Sequence, residues 1–99
     1  MSETIDDLTI AFFDDGVETV KELDKKILSK GAWTTILFRY QEWNNKNQAY
    51  GADKYSIRRY QKRNDQYWMK SKFNISSVDQ AKKIIDTLNE WLAIEENKD

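Results

Sequence analysis

The run Ala32-Trp33-Thr34-Thr35-Ile36-Leu37-Phe38-Arg39-Tyr40-Gln41-Glu42-Trp43 alternates with a period of two. Side chains on a strand point to opposite faces in turn, so Ala32, Thr34, Ile36, Phe38 and Tyr40 share one face. Trp33, Thr35, Leu37, Arg39, Gln41 and Trp43 share the other. Thr, Ile, Phe, Tyr and Trp suit a pleated, half-buried surface. The same period returns twice. Tyr55 and Ile57 alternate with Lys54, Ser56, Arg58, Tyr60 and Lys62. After an Asn64-Asp65 turn, Tyr67, Met69, Ser71, Phe73 and Ile75 alternate with Trp68, Lys70, Lys72 and Asn74. These runs read as antiparallel strands, apolar toward a core and polar-aromatic outward.

Beyond Ile75 the period becomes helical. Val78, Ala81, Ile84, Ile85, Leu88, Trp91 and Leu92 recur at intervals of three and four. Ser77 is placed to cap this helix, with Gln80 as capping-box partner and Asp79 complementing the helix dipole. Residues 1–30 read two ways: Leu8, Ile10 and Phe12 alternate as in a strand, while Ile5, Leu8 and Phe12 also fit a helix face. A strand over about residues 20–29 is preferred, because three strands alone leave the helix little to cover. Asp14-Asp15-Gly16 and Lys30-Gly31 read as turns, and residues 44–53 as a long hairpin loop.

Composition bounds the function. At 99 residues the chain is one domain with a modest core. No apolar run reaches the length of a membrane span, and Met-Ser-Glu-Thr followed by acids is no secretory signal, so the expected location is cytoplasmic. Cys and His are both absent, which removes thiolate chemistry, the commonest general base and the commonest metal ligand. Asp6-Asp7 and Asp14-Asp15 are chain neighbours that do not converge on one substrate. Ser76-Ser77 serves as a cap, and Gly31 and Gly51 are isolated rather than part of a phosphate loop. The chain is therefore expected to be no enzyme, with no catalytic residue, metal, cofactor or small-molecule substrate.

The net charge of −1 hides an asymmetry. Residues 1–24 hold eight acids and one base, residues 25–83 fourteen bases and four acids, and residues 84–99 five acids and one base. A basic middle attracts polyanions although the whole molecule is slightly acidic. Nine residues there form a candidate patch: Trp33, Arg39, Trp43, Arg58, Tyr60, Lys62, Trp68, Lys70 and Lys72. On one reading its rings stack unpaired bases and its cations grip phosphates, as sequence-tolerant single-strand binders do. On the other, the rings cover one another or a partner protein, and the charges are solvated. Charge alone prompts one more expectation, that the acidic segment 1–24 folds over the basic sheet and competes with a nucleic acid.

Four segments carry a family resemblance. They are Gly31-Ala32-Trp33, Trp43, Lys54-Tyr55-Ser56-Ile57-Arg58-Arg59-Tyr60 and Lys72-Phe73-Asn74-Ile75-Ser76. From about Val20 to Leu92 the chain resembles the transcriptional positive-cofactor-four family and its small bacterial relatives. The resemblance implies a homodimer that binds single-stranded DNA on a curved antiparallel sheet backed by a C-terminal helix. Phe73 stands where that family often has Gly, and residues 1–19 have no counterpart there.

Together these readings predict an α+β fold: a curved antiparallel sheet of four or five strands packed by one long C-terminal helix. They divide the chain into an acidic segment (1–19), a sheet-plus-helix domain (20–94) and a frayed tail (95–99). The expected function is non-catalytic binding of single-stranded DNA or RNA, in transcription or repair. The alternative is a protein–protein interaction module using the same sheet.

Overall fold

The computed structural model describes residues 4–97. A 3₁₀ turn (Ile5–Asp7) precedes six strands: β1 (Phe12–Asp14), β2 (Val17–Ser29), β3 (Trp33–Asn44), β4 (Ala49–Tyr50), β5 (Lys54–Arg63) and β6 (Gln66–Ile75). Helix α1 (Val78–Glu96) follows. The strands form a curled antiparallel sheet in the order β1-β2-β3-β5-β6, with short β4 beside the end of β3, and α1 packs against it. The α+β expectation is met. Among the described residues no helix is long and apolar enough to cross a membrane.

Two hairpin turns follow from local chemistry. Asp15 (φ 52°) and Gly16 (φ 81°) join β1 to β2, and Asn64 (φ 54°) and Asp65 (φ 61°) join β5 to β6. Positive φ at both central residues matches the twist of the flanking strands, and Asp, Asn and Gly reach it at least cost. The strand expected over 20–29 begins earlier, at Val17, because this turn returns β1 onto it. Ser77 caps α1 as expected, its hydroxyl accepting from the Gln80 N–H at 3.0 Å. The Gln80 carboxamide reaches back one residue further than a capping box requires, to the Ser76 N–H at 2.6 Å.

The register divides the sheet into two unlike faces. Thr34, Ile36, Phe38 and Tyr40 pair with Tyr60, Arg58, Ser56 and Lys54, so these eight share what we call the inner face. Trp33, Thr35, Leu37 and Arg39 pair with Gln61, Arg59, Ile57 and Tyr55 on the outer face. A bulge in β6 then changes the parity. Arg59 pairs with Ser71 but Tyr60 with Met69, so Lys70 is the extra residue. Tyr67 and Met69 thus lie on the inner face and Ser71, Phe73 and Ile75 on the outer. This corrects the expectation that all five share one side.

The core sits on the inner face, and α1 does not cover it. Ile36, Phe38, Tyr40, Tyr60 and Tyr67 are buried together with Leu8 and Ile10. Residues 4–11 therefore cross the sheet as a strap. Burying two aliphatic side chains contributes about 1.5–3 kcal/mol each. Two charged side chains of β2 hold the strap. The Lys25 ammonium donates to the carbonyls of Ile5 (3.0 Å), Asp6 (3.2 Å) and Leu8 (2.7 Å), using all three of its donors. A Glu22 carboxylate oxygen accepts from the Thr9 hydroxyl at 2.6 Å and the Ile10 N–H at 3.2 Å.

Helix α1 contacts the sheet sparingly and buries no residue. It leans over the outer face, leaving an apolar groove of about 510 Å³ between Leu37, Tyr55 and Ile57 on the sheet and Ala81, Ile85 and Leu88 on the helix. Trp91 remains 61% exposed. The Cα radius of gyration is 16.3 Å, against about 13 Å for a compact domain of this length.

Candidate nucleic-acid interface

The nine residues of the sequence-derived patch do not emerge together. Trp33, Arg39, Trp43 and Trp68 belong to the outer face; Arg58, Tyr60, Lys62 and Lys72 belong to the inner one. Alternation within β3 and β5 is read correctly, that within β6 only up to the bulge at Lys70, and cross-strand register is what joins strands. It sets Thr34, not Trp33, opposite Tyr60. Lys70, on the bulge, lines a hollow at the hairpin end with Arg63, Asn64 and Trp68.

The outer-face members are engaged separately. Trp33 lies under the Arg59 guanidinium, whose carbon is 4.1 Å from the ring centroid, a cation–π contact. Trp43 meets Tyr50 edge-on at 5.2 Å, and its indole N–H donates to Asn45 Oδ1 at 2.9 Å. The Tyr50 hydroxyl donates to the Glu18 carbonyl at 2.7 Å. Arg39 reaches Asp53 at 3.8 Å. Trp43 and Arg39 thus tie the 44–53 loop to the sheet. Ten residues of strand separate Trp43 from Trp33, about 34 Å. Trp68 shares a cross-strand row with Trp33, but Gln61 stands between them.

The inner face holds a different arrangement, which the sequence pattern alone misses. Arg58 and Lys72 sit directly opposite each other across β5 and β6. Like charges so placed repel. Among the described residues neither has a carboxylate within ion-pairing distance, the ion pairs being Arg39–Asp53 and Lys54–Glu42. The Arg58 guanidinium lies 5.9 Å from the Phe38 ring centroid, and its buried Nε has no hydrogen-bond partner. Lys62, on the same face, lies 5.7 Å from the Tyr67 ring centroid. Lys54 is already paired with Glu42, and this contact raises its pKa. Ser56 donates to Asn74 Oδ1 at 2.6 Å between the charged positions. Arg58, Lys62 and Lys72 thus form a positively charged strip bordered by rings, with no ion-paired carboxylate among the described residues.

Those rings are covered. Tyr60 is 4% and Tyr67 8% exposed, and a cleft of about 330 Å³ separates them and Arg58 from Asp7 and Thr9 of the strap. Burial raises the pKa of Tyr60, opposed by the neighbouring Arg58 guanidinium; burial also raises that of Tyr40, with Glu42 adding to the effect. Folding therefore favours the neutral phenols. Their contribution to stability is complete below the unfolded value of about 10 and is lost as pH climbs through the raised folded values. Alkaline titration followed by phenolate absorbance is expected to show Tyr40 and Tyr60 ionising above the ordinary tyrosine value, with unfolding as they do. Five phenols ionising together while the fold persists would contradict this.

Comparison with known proteins finds no matching protein-family model, no matching curated protein and no matching solved structure.

Proposed function

We infer that this chain is a non-catalytic module that binds single-stranded nucleic acid, DNA or RNA, along the inner-face strip of Arg58, Lys62 and Lys72, and that it works as a homodimer. The observation that carries the reading is the opposed Arg58–Lys72 pair, which has no ion-paired carboxylate among the described residues. A phosphate between the two cations relieves their repulsion and forms charge-assisted hydrogen bonds. The basic middle of the chain supplies the surrounding field, and the resemblance to the positive-cofactor-four family agrees in ligand class. A role in transcription or repair follows from that resemblance.

The homodimer rests on surface area. A folded monomer of 11.8 kDa exposes about 5,900 Å². This chain exposes 7573 Å². The excess, roughly 1,700 Å², is about twice what one partner brings to a standard interface. Much of it is the apolar stripe of α1 and the outer face beside it, where Phe73 is 49% and Leu88 48% exposed. Ridge and flat face lie on one chain, so a two-fold axis buries both at once when each helix docks on the other copy's sheet. This supports reading the apolar surface as the contact with a second copy, with self-association as the form the interaction-module alternative takes.

Titration with a labelled ~20-mer at two salt concentrations tests the reading. Three phosphate contacts give a slope of about −2 in log affinity against log salt, so a roughly fourfold rise in salt weakens binding about 20-fold. Absence of binding at low salt overturns it, as does binding that ignores salt.

A further inference from the structure

We propose that the strap, residues 4–11, is a built-in competitor for the base-stacking floor of this interface, and that it lifts off when a strand binds. The inference rests on the nucleic-acid reading above and concerns the regulation of that same site.

The strongest case is where the rings are. Bases need flat faces beside the phosphate-gripping cations. Trp33 and Trp68 are held apart by Gln61, and Trp43 is committed to the 44–53 loop. Trp68 borders the cleft beside Arg58 from its rim, whereas Phe38, Tyr40, Tyr60 and Tyr67 lie in one buried cluster with Leu8 and Ile10 of the strap. The strap occupies the place that stacked bases need.

Its chemistry mimics the ligand. It presents apolar side chains to the rings and carries carboxylates outward: Asp6 and Asp7 are exposed, and Asp7 borders the cleft beside Arg58. Its own carbonyls accept all three Lys25 donors, occupying an ammonium that a strand's oxygens could otherwise engage. The charge-based expectation that an acidic segment folds over the sheet thus acquires an apolar cause that charge counting does not show.

Its attachment suits release. Residues 5–11 belong to no sheet ladder, and their side-chain-mediated ties across the sheet come from Glu22 and Lys25 of β2. Strand β1 is three residues long with a register shift at Phe12/Phe13, so the ladder that follows the strap is short and irregular. A competent state populated one time in ten lowers apparent affinity about tenfold, and destabilising the closed state recovers that factor.

The test uses the full chain. Leu8→Ser and Ile10→Ser, made singly, remove apolar contacts of the strap and leave Arg58, Lys62 and Lys72 in place. Each is expected to bind a labelled ~20-mer at least about tenfold tighter than the unaltered chain. In the unaltered chain, saturating oligonucleotide is expected to strip hydrogen-exchange protection from the Ile10 amide, which donates to Glu22. This second measurement decides the matter even if a variant does not fold. Unchanged protection at Ile10 with bound oligonucleotide overturns the strap proposal and leaves the binding function standing. Equal or weaker binding by both folded variants does the same. No binding by any form at low salt overturns the function itself.

Discussion

Reversing both opposed cations, Arg58→Glu with Lys72→Glu, is expected to weaken binding of a ~20-mer by at least about 100-fold. Hydrogen bonds to charged groups are worth about 1.5–3 kcal/mol each, and two are lost. The salt slope is expected to fall by about 1.4 as two phosphate contacts disappear. The exchange is informative because it leaves the cross-strand electrostatics alike: two like charges face each other before and after. Lys72→Glu alone separates stability from binding. It sets a carboxylate opposite Arg58, a pair contributing about 0.2–1 kcal/mol to the fold, while removing one phosphate contact. Thermal unfolding should therefore move up slightly while affinity moves down. Unchanged oligonucleotide affinity in the double variant would remove the strip from the interface.

The legibility of these features in the sequence follows from the range of each interaction. Alternation at Thr34, Ile36, Phe38 and Tyr40 is local, and all four are buried as the period requires. Ser77 as cap and Asp15-Gly16 as turn are local as well. Relative register is not local. It is fixed by turn geometry and by the bulge at Lys70, and no two-residue period reports an inserted residue. That is why Arg58 and Trp33, both correctly assigned to strands, fall on opposite faces. The strap reads two ways for another reason. Leu8 and Ile10 show alternating burial without pairing in the sheet, so their period reflects contact with the rings rather than strand pairing. The patch residues Trp43 and Arg39 have partners, Asn45 and Asp53, in a loop whose path the sequence does not show.

Leu88→Asp together with Leu92→Asp is expected to convert a dimer into a monomer and to melt α1 in the same step. The two leucines, 48% and 54% exposed in one chain, are four residues apart on the apolar stripe and meet nothing within their own protomer that buries them. In a dimer that shields roughly 1,700 Å² per copy, each new carboxylate loses its water without gaining a partner, a cost of several kcal/mol. Dissociation should strengthen by more than about a thousandfold. A lone 19-residue helix with no buried face is marginal in water, capped or not. Helical circular dichroism should therefore fall as sedimentation moves to 11.8 kDa, while the sheet signal stays. The inner-face strip is intact in that monomer, so it should still bind an oligonucleotide, but without the second strip that lets one strand engage two copies. A weaker, salt-dependent affinity in the monomer would place binding and assembly on opposite sides of one sheet. An unaltered chain that already sediments at 11.8 kDa at micromolar concentration would leave the helix exposed for some other purpose.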